Sequence, residues 1–437
     1  MSKRVALQTL GCRLNQYETD AIATDFRRAG YQIVSFDDDA DCYVVNTCTV
    51  TDRSDRKSRN LINRASRGRT GIDNASPVVV VTGCYSEANT SHAQAQKGVT
   101  YVVGNSHKYT IFDLVDAHFR DEMVDPADRA ADRFGHGDGL EGFHTRAMLK
   151  IQDGCDNFCT FCIIPYVRGR AESRPQSQIL AHAKRVIGLG AKEIVLTGVN
   201  IGRYDDDGIG FPALVESILE LPGDFRVRLS STEPDIHGEG FPELAAHEKF
   251  CPHLHLCLQS GSDRILLAMR RQYDVSGYLD LVEAVRKRNP TVNFTTDVIV
   301  GFPGETDEDF LATSNVIEAV GYSHVHTFPY SVRSGTKAAR ISGHVDGATK
   351  ARRAEQVRTI AARLKRARRH SLVGSRQRLL VERCEPFGSE WLAKGHGAHY
   401  DPIEVVGTQL SANQFVEVEI NGVSEDSDLT LRAQALQ

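Results

Sequence analysis

The first 120 residues alternate short apolar runs with amphipathic stretches. Val5–Thr9 predicts a strand, and apolar residues at helical spacing then continue to a stop near Gly30. Two further apolar runs, Tyr43–Asn46 and the valine-rich Val78–Thr82, predict the next strands. Because such continuous runs are typical of strands buried on both faces, we expect a parallel sheet covered by helices on both sides.

Residues 145–345 repeat a strand–helix unit about six times. The predicted strands are Met148–Gln152, Glu193–Thr197, Val227–Ser230, His253–Leu258, Asn293–Val300 and His324–Pro329. Thr306 followed by Asp309 is a capping-box pattern at the start of one of the intervening helices. Six units favour an open, partial (βα)6 barrel over a closed eight-unit barrel.

The segments on either side of this repeat have a different composition. Residues 121–144 are rich in Asp, Gly and Arg and show no periodicity, which predicts a linker or a mobile loop. From Val373 onward, short β-rich segments alternate with Gly turns over about 65 residues, a length that suits a small β-barrel. We therefore predict an α/β fold with an N-terminal parallel α/β domain at 1–120, a linker at 121–144, a central partial barrel at 145–372 and a small β-barrel at 373–437.

The composition is that of an ordinary globular protein, with 41% hydrophobic and 25% charged residues among 437. The net charge of −5 excludes a globally basic nucleic-acid binder but not local basic patches. The sequence lacks both an apolar run of the ~20 residues that span a membrane and a secretory pattern, so we expect a cytoplasmic protein without a membrane partner. Ten cysteines are too sparse for a disulfide scaffold, and clustered cysteines then indicate metal binding or catalysis.

The strongest chemical signal is a run of three closely spaced cysteines, Cys155, Cys159 and Cys162. Thiolates are soft ligands that suit an iron–sulfur cluster or zinc, and zinc would normally take a fourth ligand at a regular spacing, which the neighbouring sequence lacks. A [4Fe–4S] cluster held by three cysteines leaves one iron open for a substrate. The run follows the first predicted barrel strand, at the end where α/β enzymes bind ligands. We therefore predict an iron–sulfur cluster in this loop.

A second group of cysteines is dispersed through the N-terminal part of the chain. Cys12, Cys48 and Cys84 each come just after a predicted strand. Since the ends of parallel strands meet along one edge of a sheet, we expect the three thiols to converge. Small buried cysteines are also common at such turns. The residues by themselves leave both interpretations open, a second metal site and simple packing.

Several motifs resemble known families. The spacing C-x-x-x-C-x-aromatic-C, with Phe161 as the aromatic residue, resembles the signature of the radical S-adenosylmethionine (SAM) superfamily. Further motifs, spread over nearly the whole chain, are similar to those of the methylthiotransferases. They are Thr-Leu-Gly-Cys-Arg-Leu-Asn-Gln-Tyr-Glu-Thr at 9–19, Asn-Thr-Cys at 46–48, Thr-Gly-Cys at 82–84, Leu-Gln-Ser-Gly-Ser at 258–262, Asp-Val-Ile-Val-Gly-Phe-Pro-Gly-Glu-Thr at 297–306 and Phe-Pro-Tyr-Ser-Val-Arg-Ser-Gly-Thr at 328–336. The C-terminal segment is similar to the TRAM domain, a small RNA-binding barrel.

This resemblance implies two [4Fe–4S] clusters. The loop set (Cys155, Cys159 and Cys162) would be catalytic, because its open iron would bind SAM and its electron would cleave SAM to a 5′-deoxyadenosyl radical. The sheet-edge set (Cys12, Cys48 and Cys84) would hold a second cluster that supplies or carries sulfur. The family pattern also implies a second SAM as methyl donor, and as partners tRNA, an electron donor such as flavodoxin or ferredoxin, and a sulfur donor.

The reaction that the resemblance implies is methylthiolation of an adenine C2 in tRNA. The run at 12–19 most resembles the branch that modifies N6-threonylcarbamoyladenosine at position 37. The same chemistry on N6-isopentenyladenosine-37, or on a ribosomal protein aspartate, is the alternative within the family. A non-enzymatic iron–sulfur RNA-binding protein is an alternative of another class, although a purely structural cluster would prefer four cysteines.

Residues just after the predicted barrel strands are candidates for SAM binding. A glycine lets the backbone approach the ligand, and a polar side chain offers hydrogen bonds to the ribose or the amino group. The candidates are Gly198, Asn200, Ser231, Glu233, Gln259, Ser260, Gly301 and Gly304. A turn glycine or a helix-capping polar residue explains each of them equally well.

Basic residues are candidates for substrate contacts. The segment Lys350–His370 carries nine Lys or Arg with apolar residues at helical spacing, which predicts a basic helix face able to neutralise phosphates. The tRNA-contacting candidates on this face are Arg363, Lys365 and Arg366, and an ordinary solvated face is the alternative. Arg333, just past the sixth strand, is the candidate for the carboxylate of threonylcarbamoyladenosine, since a guanidinium binds a carboxylate bidentately. It could equally brace its loop or contact phosphate.

Overall fold

The computed structural model describes residues 2–68, 76–136, 145–236 and 238–436. These residues belong to two compact units. The first unit comprises Met1–Phe143, Gln152–Arg174 and Arg333–Thr336, and the second comprises His144–Ile151, Pro175–Val332 and Lys337–Gln437. The boundaries predicted at 120, 144 and 372 concern domains rather than these two units, and they stay predictions.

A parallel sheet forms the centre of the first unit. Its elements are β1 (Arg4–Thr9), α1 (Arg13–Arg28), β2 (Gln32–Val34), β3 (Cys42–Thr47), α2 (Asp52–Ala65), β4 (Val78–Gly83), α3 (Cys84–Ala88), α4 (Thr90–Gln94), β5 (Tyr101–Val103) and α5 (Ile111–Phe119). In the described residues the strand order is β2-β1-β3-β4-β5. Val44 and Val80 pack with α1 and α5 on one face, whereas Val45 and Val81 pack with α2 on the other. This alternation confirms the predicted sheet with two covered faces.

The register of the sheet places three strand ends level with one another. Thr9 of β1 pairs with Asn46 of β3, and Asn46 pairs with Thr82 of β4. One of the sheet-edge cysteines follows each of these three positions within three residues. Because the strands are parallel, all three cysteines come to the same edge of the sheet.

The predicted linker lies partly within the described residues. Asp132 N donates a hydrogen bond to Ser106 O (2.9 Å), and the Tyr109 hydroxyl donates to Ala130 O (2.6 Å). The described part of the linker is therefore bonded to the first unit. Residues 137–144, which complete the predicted linker, lie outside the described residues.

A short loop that belongs to the first unit follows the first barrel strand. The elements around it are β6 (Arg146–Lys150), β7 (Gln152–Asp153), α6 (Ile164–Val167) and β8 (Glu172–Ser173). β7 and β8 pair in antiparallel fashion. The loop that carries Cys155, Cys159 and Cys162 is thus closed at its base by two paired strands.

The second unit contains an open barrel of parallel strands. After β6, its elements are α7 (Gln176–Gly188), β9 (Glu193–Thr197), β10 (Asp205–Asp206), β11 (Ile209–Gly210), α8 (Phe211–Leu219), β12 (Arg226–Leu229), β13 (Ser231–Thr232), α9 (Phe241–Leu244), β14 (His253–Leu256), α10 (Asp263–Ala268), α11 (Val275–Arg288), β15 (Asn293–Val300), α12 (Asp307–Val320), β16 (His324–Pro329) and α13 (Gly347–Ser371). Two parallel sheets in the described chain, β12-β9-β6 and β13-β14-β15-β16, form the barrel wall. β6 and β16 are edge strands of these sheets, so the barrel is partial, as predicted. The predicted capping box at Thr306 and Asp309 is present at the start of α12.

A small β-barrel completes the second unit. Its strands are β17 (Arg376–Phe387), β18 (Glu390–His396), β19 (Pro402–Gly407), β20 (Phe415–Val423) and β21 (Leu431–Ala435). Within the described chain these strands close in the order β17-β18-β19-β21-β20 around a buried apolar core. The predicted C-terminal barrel is therefore confirmed. Among the residues that the structure describes, none of the helices is both long and apolar enough to cross a membrane.

Candidate functional site

The structure brings the sheet-edge cysteines Cys12, Cys48 and Cys84 together in the first unit. The backbone of Gly11 lies directly against Cys48, since a Cβ placed on Gly11 would be 2.7 Å from Cys48 Sγ. Gly11 also has a φ of +97°, a conformation that favours glycine. Cys48 and Cys84 are buried, whereas Cys12 is exposed. The site therefore has two sheltered thiols and one that is open to solvent.

Burial and the neighbouring thiols raise the pKa of both Cys48 and Cys84. Burial, with the neighbouring Cys12 and Cys48, raises the pKa of the Cys84 thiol to about 11, against the opposing effect of Arg168 and Lys108. Burial also raises the pKa of Cys48, and Cys12 adds to it. Thiolates this close repel one another unless a cation binds to all of them. The soft, multivalent iron of a [4Fe–4S] cluster fits this donor set.

Hydrogen bonds fix the backbone around the sheet-edge cysteines. The Ser58 hydroxyl donates to Cys48 O (2.9 Å), and Cys48 N donates back to Ser58 Oγ (3.3 Å). Thr47 Oγ1 donates to Thr82 O (2.5 Å), and Ser86 N donates to Thr47 Oγ1 (3.3 Å). The cysteines are thus held by the strand ends themselves, which is the support that a preorganised ligand set needs.

The loop with Cys155, Cys159 and Cys162 is also held by its own backbone. Cys162 N donates to Cys159 O (3.0 Å). Gly154 has a φ of +69°, and a Cβ there would lie 1.9 Å from Arg170 O, so only glycine fits at this crossing of two chain segments. Cys159 is buried and the other two cysteines are partly exposed. The loop therefore offers three thiols from one short, braced segment, and three thiols fit a [4Fe–4S] cluster that keeps one iron open.

A buried ion network in the first unit was not predicted from the sequence. Arg168 Nη1 donates to Asp153 Oδ2 (2.9 Å) and to Glu18 Oε1 (3.0 Å). Lys108 Nζ donates to Glu18 Oε2 (2.5 Å). All four side chains are buried. Since Arg168 and Glu18 are 150 positions apart, only the tertiary structure pairs them. The lone Arg in the apolar run 163–168 is the signal that could have indicated a buried cation.

The candidate SAM-binding residues all lie at the carboxyl ends of the strands in the second unit. Gly198 and Asn200 follow β9, Ser231 follows β12 and begins the two-residue β13, Glu233 follows β13, Gln259 and Ser260 follow β14, and Gly301 and Gly304 follow β15. This is the end at which parallel α/β barrels bind their ligands.

Several of these candidates already have partners within the second unit. Glu233 forms an ion pair with Arg271, a partner that the sequence did not indicate. Gly301 N donates to Glu305 Oε2 (2.6 Å). Gln259 has a φ of +61°, an uncommon conformation for a residue with a side chain, of the kind that concentrates at ligand sites. The sequence could not reveal this positive φ at Gln259, just after the end of β14.

Two family models match the chain. Residues 149–317 match the radical SAM superfamily, and residues 4–104 match an uncharacterised protein family, UPF0004. The chain is 37% identical to the threonylcarbamoyladenosine tRNA methylthiotransferase MtaB of Bacillus subtilis, over 95% of this chain and 93% of that protein. It is 34% identical to the protein of the same name from Thermotoga maritima, over 100% of this chain and 98% of that protein. The chain belongs to the radical-SAM tRNA methylthiotransferase family.

Another branch of the same family is also similar to this methylthiotransferase. The tRNA-2-methylthio-N(6)-dimethylallyladenosine synthase of Novosphingobium aromaticivorans is 32% identical, over 97% of each chain. Among solved structures, the radical SAM methyltransferase TsrM of Kitasatospora setae has the same fold over 78% of this chain and 77% of that chain, with a TM-score of 0.57 and 15% identity. The predicted family, enzyme class and fold class are confirmed. The cofactors of this methylthiotransferase are SAM and iron–sulfur of the [4Fe–4S] type.

Arg333 of the methylthiotransferase is bound by carboxylates of its own unit. Its Nη1 donates to Asp52 Oδ1 (2.9 Å), and its Nη2 donates to Asp55 Oδ2 (3.1 Å) and to Thr49 Oγ1 (2.6 Å). The Asp52 side chain is 68% exposed and that of Asp55 only 18%. A substrate carboxylate that reaches Arg333 would therefore displace Asp52 more easily than Asp55. The predicted role of Arg333 stays a prediction.

The basic candidates for tRNA contact lie on α13 in the second unit. Arg363 forms an ion pair with Glu318. Lys365 Nζ donates to Ser427 O (3.2 Å), and Arg366 is exposed. The ion pair of Arg363 is exposed and therefore weak, so a phosphate could replace Glu318 at little cost, whereas the Lys365 side chain is only 17% exposed.

Proposed function

We propose that this methylthiotransferase transfers a methylthio group to C2 of N6-threonylcarbamoyladenosine at position 37 of tRNA, and that it uses two SAM molecules and two [4Fe–4S] clusters. The observation that carries the two-cluster proposal is the presence of two separate three-cysteine sets in one compact unit. The substrate proposal is supported by similarity over nearly the full chain to relatives named for threonylcarbamoyladenosine.

The two cysteine sets would each hold one cluster. We assign the sheet-edge set (Cys12, Cys48 and Cys84) to the sulfur-transferring cluster and the loop set (Cys155, Cys159 and Cys162) to the radical-generating cluster. When bound, the loop cluster supplies the electron for SAM cleavage, and the sheet-edge cluster supplies the site at which sulfur is methylated. The cysteines themselves hold the iron, and the hydrogen bonds at Ser58 and Thr47 keep the sheet-edge strand ends in position to do so.

The second unit would supply the remaining binding functions. We propose that SAM binds among the strand-end residues Gly198, Asn200, Ser231, Glu233, Gln259, Ser260, Gly301 and Gly304. Residues 1–120 would form the sulfur-transferring domain, 121–144 a linker, 145–372 the radical-SAM core and 373–437 a TRAM-like RNA-binding domain. An electron donor such as flavodoxin or ferredoxin and a sulfur donor would complete the reaction in the cytoplasm.

The substrate is tested with two purified tRNAs that differ only in the modification at position 37. A pocket built to bind the carboxylate and hydroxyl of threonylcarbamoyladenosine leaves polar groups unpaired when the apolar isopentenyl group enters, and this is penalised strongly. We therefore expect methylthiolation of the threonylcarbamoyl tRNA and little or none of the isopentenyl tRNA, measured by nucleoside mass spectrometry. The reverse preference would overturn the substrate assignment and leave the enzyme family unchanged. Modification of an aspartate in a ribosomal protein, with neither tRNA modified, would support the protein-modifying alternative.

The role of Arg333 is tested in the same assay. If Arg333 binds the substrate carboxylate, Arg333→Lys should raise the KM for the threonylcarbamoyl tRNA, because an ammonium replaces a bidentate contact. Asp52→Asn should have the opposite effect on KM, since it weakens the competing carboxylate. A fall in iron content without a change in KM would show instead that Arg333 only braces the segment beside Cys48.

The basic face of α13 is tested through the salt dependence of tRNA binding. Charge reversal of Arg363, Lys365 and Arg366 to Glu should weaken binding and lower the slope of log affinity against log salt by about one for each phosphate that is no longer neutralised. The matched control reverses Lys184, Lys287 and Arg288, which carry the same total charge and are exposed on other helices of the same unit. An equal slope in both triple variants would show that α13 is an ordinary solvated face.

A further inference from the structure

Arg168 is the centre of the buried ion network in the first unit. Besides its Nη1 contacts to Asp153 and Glu18, its Nη2 donates to Asn15 Oδ1 (2.6 Å) and to Glu18 Oε2 (3.1 Å). The side chain is only 1% exposed. A planar guanidinium can bind several oxygens from fixed directions in this way, whereas the ammonium of a lysine cannot.

The contacts of Arg168 close the loop that carries the second cysteine set. Asp153 comes two residues before Cys155, and Arg168 comes six residues after Cys162. Asp153 Oδ1 also accepts a hydrogen bond from Gly154 N (2.7 Å). The ion pair between Arg168 and Asp153 therefore joins the two ends of this loop.

Another contact of Arg168 reaches a residue that lies beside the sheet-edge cysteines. Asn15, which accepts from Arg168, lies in the first turn of α1, three residues after Cys12. The same Asn15 donates from Nδ2 to Thr47 O (3.0 Å), the residue before Cys48. Through Asn15 and Asp153, Arg168 thus links the chain segments that carry the two cysteine sets, and all of these residues belong to the first unit.

Stability is a poor explanation for this arrangement. The network contains two cations, Arg168 and Lys108, and two carboxylates, Glu18 and Asp153. Burying such a network costs desolvation energy that the ion pairs barely offset, and apolar residues of similar volume are often as stable or more stable. Fixing one geometry among several is the best-attested use of a buried polar network.

We propose that Arg168 is a positioning residue that fixes the separation of the two clusters. The proposal rests on the assignment of one cluster to each cysteine set. Methylthio transfer needs the sulfur and the substrate radical to meet, so a variable distance between the cluster sites would cost rate. A rigid connection between the two loops keeps that distance constant while SAM and tRNA come and go.

The test measures the magnetic interaction between the two reduced clusters by EPR, in the reconstituted full-length enzyme without SAM. Two variants remove the connection: Arg168→Lys, and the double variant Arg168→Gln/Asp153→Asn, which leaves Glu18 paired with Lys108. We expect both to keep the wild-type iron content and to lose the discrete spin–spin splitting. The control is Arg129→Gln, which removes an exposed ion pair with Asp113 in the same unit.

Three outcomes would contradict either the positioning role of Arg168 or the two-cluster function on which it rests. An unchanged splitting with full iron content in both variants would overturn the proposal. Loss of one cluster from the charge-balanced double variant would also overturn it, because Arg168 would then hold a cluster rather than set a distance. Wild-type enzyme with iron for a single cluster would instead contradict the two-cluster function on which the proposal rests.

Discussion

Replacing Cys12, Cys48 and Cys84 with Ala should remove about four of about eight irons and abolish methylthio transfer, while reductive SAM cleavage continues. The physical reason is that the two cysteine sets occupy different segments: one follows the sheet strands and the other lies in the loop between β7 and β8. Loss of the sheet-edge thiols removes a ligand set without removing any thiol of the loop. Iron content and 5′-deoxyadenosine formation in anaerobically reconstituted protein measure the two effects separately.

The complementary variant should behave differently. Replacing Cys155, Cys159 and Cys162 should also leave about four irons but abolish SAM cleavage, since the remaining set is not the one with the radical-SAM spacing. Cys251→Ala/Cys384→Ala is the matched control, because these cysteines lie in the second unit and outside both sets. Full iron content in the sheet-edge variant would refute the second cluster, and the converging thiols would then be simple packing.

Glu193→Gln should destabilise the second unit by ~3–5 kcal/mol, because it leaves buried guanidinium groups without a counter-charge. Glu193 is fully buried. Its Oε2 accepts from Arg226 Nε (2.6 Å), and its Oε1 accepts from Arg228 Nε (2.7 Å) and Arg146 Nε (2.7 Å). Urea denaturation followed by fluorescence of Trp391, the single tryptophan of the chain, reports on this unit.

The destabilisation by Glu193→Gln should extend to the C-terminal barrel. Arg226 Nη2 donates to His396 O (3.1 Å), and Arg228 Nη1 donates to Ala398 O (3.1 Å). The carboxylate of Glu193 therefore orients two guanidinium groups that hold the barrel through its backbone. We expect Glu193→Gln to increase proteolysis within residues 373–437 as well as to lower the urea midpoint.

The same ion cluster predicts a dependence on pH. Although burial by itself raises it, the pKa of Glu193 is held well below its ordinary value of 4.5 by Arg228 and Arg226. A carboxyl group with a lowered pKa contributes stability that is present above the pKa of the unfolded chain and is lost as the pH falls. Wild-type protein should therefore lose stability as the pH falls below about 4.5, and Glu193→Gln should lose less over that range.

The control for this prediction is a carboxylate whose ion pair is exposed. Glu243 pairs with Arg288 at 2.7 Å, and both side chains are 54% exposed. Glu243→Gln should leave the urea midpoint unchanged, since water replaces the lost partner. If Glu193→Gln and Glu243→Gln have equal midpoints, the buried cluster does not stabilise the second unit.

The sequence determined the elements and the cysteine sets. The valine run at 78–82 predicted a strand buried on both faces, and Val80 and Val81 do pack into opposite cores. The spacing of Cys155, Cys159 and Cys162 indicated a cluster because neighbouring residues in a loop stay close together in any fold. Such features are local, so a pattern of residue types is enough to predict them.

The convergence of Cys12, Cys48 and Cys84 depended partly on the sequence pattern and partly on the tertiary structure. Parallel strands predicted that the three residues reach one edge, and the register of Thr9, Asn46 and Thr82 bears this out. Whether the thiols share one site depended on how the turns after the strands fold. For Cys12 and Cys48, the close approach depends on Gly11, whose backbone lies directly against Cys48.

Only the tertiary structure decided which charged groups meet. Arg168 pairs with Glu18, which is 150 positions away in the sequence, and Arg333 pairs with Asp55, which is 278 positions away. The sequence left Arg333 as a candidate for binding a substrate carboxylate or for bracing its loop, and in the structure its partners are carboxylates of its own unit. A charged residue in a sequence carries no information about its partner, because ion pairs depend on packing between distant segments rather than on any period along the chain. The residue pattern of this protein therefore determined its strands, helices and thiol ligands, and the packing of distant segments decided which charges surround them.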